Sequence, residues 1–268
     1  HGFEVDTTED ASAFHEKNLK RYKAVVFLNT THDVLDPIQQ TDFKRFIEAG
    51  GGFVGIHAAS DTEYEWPWYG KLVGAYFNGH PPGTAEAKIK QVKQFGDSLP
   101  AEFSATDEWY NYKNINPDIN VIYNLDESTY TGGTNGTDHP IAWYHEFEGG
   151  RAFYTGLGHT REAYHDKVFL KLVLSGIKYA LGTEGLNYNK VKSPRMPEEN
   201  RFTKVVLDFN LDEPTEMAVL PNGDILFLER KGNVKYYDQN LGKTEVIARI
   251  PVSTKYNVNA QGEAGEAE

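Results

Sequence analysis

The chain has 268 residues, more than one average domain needs, and it combines a net charge of −12 with 39% hydrophobic residues and no cysteine. No apolar run approaches the roughly 18 residues of a membrane-spanning helix. The acidic charge would repel a phosphate backbone, so we expect neither a membrane span nor a nucleic-acid partner. The lack of cysteine excludes disulfides, thiolate metal sites and a cysteine nucleophile.

The first two thirds of the chain alternate between strand-like and helix-like segments. The predicted strands lie at about 3–5, 23–29, 53–57, 85–92, 119–125, 141–147 and 151–156. The predicted helices lie at about 10–20, 36–49, 66–77 and 166–181. The second helix is the best marked, because Pro37 fills its first turn and Gly50 follows its end. This alternation favours an α/β layered domain with a mostly parallel sheet over residues 1–183.

The last third of the chain has a different pattern. Residues 184–201 are polar and aperiodic, which predicts a linker. The segment TEMAVLPNGDILFLERKGNVKYYDQNLGKTEVIARI then predicts four short strands joined by tight turns at NGD, KGN and NLG. Four consecutive antiparallel strands form one propeller blade, and a single blade cannot bury both of its faces. We therefore expect residues 202–268 to be the first blade of a propeller that this chain truncates.

Polar and aromatic residues collect where predicted strands end. His57 closes the strand in GGGFVGIHAASD, and His159 follows a strand in FYTGLGHT. Ligands of open α/β sheets bind outside the carboxyl ends of the strands, so we expect the two imidazoles to face one crevice. Carboxylates, imidazoles and flat rings that suit a sugar are expected around them, namely Asp61, Trp68, His80, Glu108, Trp109, Tyr110, His139 and Glu162.

Each of these residues also has a structural interpretation. A histidine at a strand end commonly serves only as a hydrogen-bonding group, and the rings of DEWY can equally pack inward. Zinc accepts histidine and carboxylate ligands, but the helical spacing HExxH is missing, so no metal is predicted. A hydrolase elbow would need serine where GIHAAS has His57.

The chain resembles the ThuA-like (trehalose utilisation) family, whose fold is similar to that of class I glutamine amidotransferases. The resemblance rests on GGGFVGIHAASD, WPWYGKLVGAYFNGHP, DEWYNY, HPIAWYHEFEGGRAFYTGLGHT and FLKLVLSGIKYALG. It implies that His57 replaces the nucleophilic cysteine of the amidotransferases, which excludes glutamine hydrolysis by the thiol route. It also implies a further strand and helix upstream of His1, and a ligand from disaccharide or keto-sugar metabolism.

Residues 202–268 resemble the start of a glucose/sorbosone dehydrogenase-type propeller, a kind that uses pyrroloquinoline quinone (PQQ). The match rests on TEMAVLPNGDILFLERKGNVKYYD. The resemblance implies that PQQ, calcium and the catalytic histidine belong to later blades outside this chain, so no cofactor is expected in the first domain. Such propellers usually work outside the cytoplasm, which implies a periplasmic or extracellular location, although HGFEVDTTED shows no signal peptide.

Two functions remain open on this basis. In the first, the domain is an enzyme of hydrolysis or isomerisation type, in which His57 and His159 exchange protons with a sugar or keto-sugar and Glu108 assists. In the second, it is a non-catalytic carbohydrate-binding domain that serves the propeller. Titratable groups that converge in one cleft cost stability unless they have a use, which favours the enzyme. A purely structural scaffold would have no crevice, and the oligomeric state stays open.

Overall fold

The computed structural model of the chain divides into two compact units, the α/β unit (His1–Pro197) and the C-terminal unit (Glu198–Glu268). The described residues are 2–96, 99–197, 203 and 205–253, with the backbone of 257–258 and 264–265. Parts of the predicted linker and blade therefore lie outside the described residues, namely 198–202, 204, 254–256, 259–263 and 266–268. Within the described segments, the structure has no helix with the length and apolar character to cross a bilayer.

The α/β unit contains most of the predicted elements. Its strands are β1 (Ala24–Leu28), β2 (Gly52–Ile56), β3 (Tyr76–Phe77), β4 (Ala85–Gln91), β5 (Glu102–Asp107), β6 (Tyr112–Lys113), β7 (Asn120–Leu125), β8 (Pro140–Phe147) and β9 (Gly150–Thr155). Its α-helices are α1 (Glu16–Leu19), α2 (Pro37–Glu48), α3 (Pro67–Val73) and α4 (Lys167–Leu181). The strand predicted at 3–5 does not form, since that segment pairs with no other strand of the described chain.

A seven-stranded sheet with the order β1-β2-β9-β8-β7-β4-β5 forms the centre of the α/β unit. Two of its pairings, β1 with β2 and β2 with β9, are parallel. The other four pairings are antiparallel. Because each antiparallel pairing reverses the direction, five of these seven described strands run the same way (β1, β2, β9, β7 and β5). The α/β class is confirmed, and the antiparallel pairings arise because hairpins such as β8–β9 return without a crossover helix.

Helices pack against both faces of the sheet. Phe53 and Val54 are consecutive in β2 and so point to opposite faces. On the face of Phe53, its ring packs against Phe43 of α2 and Tyr69 of α3. On the other face α4 approaches closely, because a Cβ atom at Gly52 would lie only 2.3 Å from the carbonyl oxygen of Ala180. The glycine therefore permits the helix-to-sheet distance.

Residues 184–197, predicted as part of a linker, are instead held on the α/β unit. The Glu48 carboxylate accepts hydrogen bonds from the backbone N–H of Lys192 at 2.9 Å and of Ser193 at 2.8 Å. Asn187 donates its backbone N–H to the Ala49 carbonyl at 2.7 Å. Buried acceptors at the end of α2 thus bind a segment whose aperiodic sequence shows no sign of this attachment.

The C-terminal unit contains the four predicted strands. They are β10 (Pro214–Val219), β11 (Ile225–Glu229), β12 (Asn233–Asp238) and β13 (Lys243–Arg249). They pair antiparallel in chain order as one sheet. Gly223 and Gly232 lie in two of the three turns between them, with φ angles of +88° and +90° that favour glycine. A short antiparallel pair, β14 (Asn257–Val258) and β15 (Ala264–Gly265), follows.

Candidate functional site

His57 lies directly after β2, in a 3-10 turn that spans His57–Ser60. Its φ of +48° is in the left-handed region, which side-chain-bearing residues rarely adopt. The buried Tyr154 hydroxyl donates to the His57 carbonyl oxygen at 2.7 Å and lies 2.9 Å from Ser60 Oγ. These contacts hold the strained turn in place.

The ring of His57 is buried and has a fixed orientation. His57 is 1% exposed, and its Nδ1 lies 2.9 Å from the carbonyl oxygen of Gly156. Because a carbonyl only accepts, Nδ1 carries the proton and Nε2 of the neutral ring presents a lone pair. Burial lowers the pKa of His57 below its ordinary value, and the hydrogen bond to Gly156 opposes that effect.

Three side chains converge beyond His57 Nε2, and we call His57, Glu108 and His159 the histidine–glutamate cluster. Glu108 Oε2 lies 3.3 Å from His57 Nε2 and 3.4 Å from His159 Nδ1. The two nitrogens are 3.2 Å apart. His80 joins from the other side, with Nδ1 3.3 Å from Glu108 Oε1. The His159 side chain is 46% exposed, so the cluster reaches solvent through it.

Asp107 holds two members of the cluster in place, and the sequence prediction of the site did not include it. Its buried carboxylate accepts the backbone N–H of Gly158 at 2.7 Å, of Glu108 at 3.0 Å and of His159 at 3.1 Å. The end of β5 is thereby tied to the loop after β9. The local signal was limited to the position of Asp107 beside Glu108, since its partners are 51 and 52 residues away.

Tyr110 packs against the cluster. Its ring centroid lies 4.1 Å from that of His57 and 4.2 Å from that of Phe77. Burial raises the pKa of the Tyr110 hydroxyl well above its ordinary value, so that it remains a proton-bearing donor. His139, a predicted substrate-binding residue, does not reach the surface. His139 is fully buried, and its ring bridges the Tyr110 carbonyl and the Glu127 carboxylate, each at 2.8 Å.

The predicted tryptophan platform is not formed at the cluster. Trp109 is 1% exposed, and its indole N–H donates to the Ala85 carbonyl at 2.8 Å. Trp68 donates to Glu148 Oε2 at 2.7 Å. Glu148 lies in the turn before β9, whereas His159 follows the end of that strand, so the six residues of β9 separate Trp68 from the cluster by about 20 Å.

The two remaining predicted residues lie near the cluster without contacting its three side chains. Asp61 accepts a hydrogen bond from the Tyr64 hydroxyl at 2.5 Å. Glu162 begins a 3-10 turn (Glu162–His165) and lines a cavity of about 290 Å³ together with Asp107, Leu157 and Phe169. This cavity shares Asp107 with the site, but none of the three cluster side chains lines it.

The cluster has two chemical capabilities. Its donor atoms all lie within 4.8 Å of one another, which is close enough for them to share a metal ion. They can also share a proton, because an imidazole gains and loses one near neutrality and a carboxylate stabilises the charged ring.

These features define an α/β domain with a cluster of titratable side chains at the carboxyl ends of β2, β5 and β9. The chain belongs to the ThuA family, described as trehalose utilisation, whose model matches residues 1–180. A putative ThuA-like protein from Bacteroides uniformis ATCC 8492 is 28% identical, with a TM-score of 0.59 over 67% of this chain and 77% of that chain. Another, from Parabacteroides merdae ATCC 43184, is 22% identical, with a TM-score of 0.51 over 71% and 78%. Among curated proteins, none matches the chain.

Proposed function

We propose that the α/β unit processes a sugar or keto-sugar by proton transfer at the histidine–glutamate cluster. One observation supports this most directly: two imidazole nitrogens and one carboxylate oxygen converge at 3.2–3.4 Å, with one ring buried and the other 46% exposed. Membership of a family described as trehalose utilisation supports a carbohydrate as the ligand. The reaction is of hydrolysis or isomerisation type, since both move protons to and from sugar oxygens or carbons.

The surroundings of the cluster support this chemistry. His57 is oriented by the Gly156 carbonyl, so its Nε2 faces the carboxylate rather than the protein interior. His159 is anchored through its backbone by Asp107, while its side chain remains open to solvent. A sugar hydroxyl or carbonyl beside His159 would therefore meet a preorganised set of proton-handling groups.

A non-catalytic carbohydrate-binding domain is the alternative. Binding platforms for sugars commonly use exposed flat rings, but Trp109 is buried and Trp68 lies at the other end of β9. Tyr110 is the aromatic residue beside the cluster, and its ring is packed between His57 and Phe77. The arrangement of the aromatic residues therefore supports a binding domain only weakly. The titratable groups of the cluster give stronger support to an enzyme.

Substitution of His57 tests the proposal. Product formation from a panel of monosaccharides, disaccharides and their keto forms is followed by NMR, and binding by calorimetry. His57→Asn is expected to abolish turnover while leaving sugar affinity within about threefold, because asparagine tolerates the left-handed backbone but cannot transfer the proton.

His32→Asn is the matched control, since His32 is exposed and has a similar φ of +60°. Unchanged turnover in His57→Asn would refute the catalytic assignment. Sugar binding without turnover by the unsubstituted protein would favour the binding domain.

We also propose that the sheet of the C-terminal unit is the first blade of a sugar-dehydrogenase-type propeller that works outside the cytoplasm. Its four strands pair in chain order, and Met217 and Val246 expose apolar side chains of the kind that a neighbouring blade covers. PQQ and calcium would be bound by later blades. Sequencing of the reading frame that encodes this chain tests the proposal. The proposal requires further four-strand repeats after β13, and their absence would contradict it.

A further inference from the structure

We propose that His57 Nε2, Glu108 Oε2 and His159 Nδ1 bind one divalent transition-metal ion of the zinc class, with a fourth position open to water. This goes beyond the proposed function, because it concerns the ion and not the substrate. It also departs from the sequence prediction, in which the missing HExxH spacing argued against a metal.

The spacing of the three donor atoms fits tetrahedral coordination. Zinc bonds to nitrogen and oxygen ligands are about 2.0–2.1 Å long, and the edge of a tetrahedron is about 1.63 times the centre-to-corner distance, which predicts ligand separations of about 3.3–3.4 Å. The observed separations are 3.2, 3.3 and 3.4 Å. An octahedral ion with bonds of about 2.0–2.1 Å, such as magnesium, would hold adjacent ligands about 2.8–3.0 Å apart.

The protonation of His57 also favours a cation. Its Nδ1–H is directed at the Gly156 carbonyl, so the neutral ring presents a lone pair from Nε2. That lone pair faces a carboxylate oxygen, which is also an acceptor, and the second imidazole. Two acceptor atoms at these distances repel one another unless a proton or a metal cation lies between them. Histidines that bind metals commonly donate the second N–H to a backbone carbonyl in this way.

The surroundings are those of an open site rather than a closed structural one. Asp107 fixes the backbone of both Glu108 and His159, which supplies the outer support that metal ligands need. His57 closes the inner side of the triangle, whereas the exposed His159 side chain leaves the outer side accessible. Three protein ligands and one open position are typical of catalytic zinc.

An ion at this position would change which group carries the proton. The two imidazoles would act as ligands, and a water bound at the fourth position would become acidic enough to transfer a proton near neutrality. The proposed proton transfer at the cluster would remain, with the bound water in place of the free His57 ring.

Metal binding by the whole chain tests this inference without any sugar. The protein is stripped with a chelator, dialysed, and titrated with Zn²⁺ by calorimetry, and then with Co²⁺ by visible absorption. We expect one Zn²⁺ per chain and the strong visible bands of four-coordinate cobalt. His159→Gln should weaken Zn²⁺ binding by more than about tenfold. Loss of a residue that only supports a metal ligand already costs about tenfold or more in affinity, and loss of a ligand should cost more. His159 is chosen because its exposed side chain can be replaced without a cavity.

His165→Gln is the matched control, since His165 is also an exposed histidine after β9 and lies outside the cluster. Circular dichroism checks that both variants are folded. Failure of the folded, unsubstituted protein to bind Zn²⁺, equal affinity in His159→Gln, or a six-coordinate cobalt spectrum would overturn the inference. Zinc binding without sugar turnover would refute the proposed function and leave this site intact, whereas full turnover by the stripped protein would do the reverse.

Discussion

Asp107 accepts the backbone N–H of Gly158 at 2.7 Å, and this hydrogen bond joins the end of β5 to the loop after β9. The same carboxylate accepts N–H groups from Glu108 and His159. Two members of the histidine–glutamate cluster thus depend on one buried side chain. The position of His159 beside His57 is a consequence of this attachment as much as of the strand order.

Replacement of Asp107 should therefore affect stability and the cluster together. In Asp107→Asn, the amide N–H₂ group must face a backbone N–H where a carboxylate oxygen stood, so one buried donor loses its acceptor. We expect a loss of about 2–3 kcal/mol in the free energy of unfolding, measured by urea denaturation, and weaker Zn²⁺ binding. Asp33→Asn, at an exposed position, is the control and should change neither quantity. Equal unfolding free energies for both variants would contradict this role for Asp107.

Substitutions at Tyr154 and at a matched tyrosine can separate effects on stability from effects on the geometry of the site. Its hydroxyl donates to the carbonyl of His57, whose backbone has a strained φ of +48°. Tyr154→Phe should cost about 1–2 kcal/mol in unfolding free energy and should also weaken metal binding or turnover, because the turn that orients His57 loses its restraint.

The matched control is Tyr123→Phe. Tyr123 is equally buried, and its hydroxyl donates to the Pro100 carbonyl at 2.8 Å, away from the cluster. A similar loss of stability is expected from this variant with no change at the site. If both variants affected metal binding alike, the effect would come from general destabilisation rather than from the turn at His57.

The parts of the fold that were predictable are those with local signals. The start of α2 is one, because Asp36 and Gln39 form a reciprocal cap and Pro37 follows directly. The strand-end positions of His57 and His159 are another, since β2 and β9 are neighbours and parallel. A single sequence is sufficient for such features because the interacting residues are close in the chain or belong to a simple sheet rule.

The parts that were not predictable depend on distant partners. The sequence pattern does not indicate β5, because its apolar positions, Phe103 and Ala105, are few and only partly buried. The burial of Trp109 depends on the carbonyl of Ala85 on the neighbouring strand, and nothing within DEWY shows which way its rings point. Metal-ligand spacing was equally hidden, because the three donors of the cluster come from three separate segments rather than from one helix.

The close contact between β2 and α4 predicts a strong effect at Gly52. A Cβ atom there would lie 2.3 Å from the Ala180 carbonyl oxygen, and backbone atoms cannot give way as a flexible side chain can. Gly52→Ala should therefore move α4 off the sheet and cost about 3 kcal/mol or more, measured by thermal unfolding. Gly185→Ala is the control, since a Cβ atom at Gly185 would have no neighbour within 4 Å. Tolerance of alanine at Gly52 would mean that the helix lies farther from the sheet than described.

The acid sensitivity of the α/β unit should depend on Glu16. Burial raises the pKa of this carboxyl, but its contacts with Lys20, Arg45 and Arg195 outweigh that effect and lower the pKa from 4.5 to about 2. Because the folded-state pKa is the lower one, the stabilisation is fully present above pH 4.5 and is lost as the pH falls from there towards 2. A difference of this size corresponds to at most about 3–4 kcal/mol.

Chemical denaturation of Glu16→Gln at several pH values tests this expectation. The variant should be less stable than the unsubstituted protein at pH 7, and the difference should shrink below pH 4.5 because protonated Glu16 has also lost its charge. Glu9→Gln, at an exposed position, should show no such gap at any pH. A gap for Glu16→Gln that persisted unchanged to pH 2 would show that the three cations do not depress this pKa, and that the stabilisation arises from packing instead.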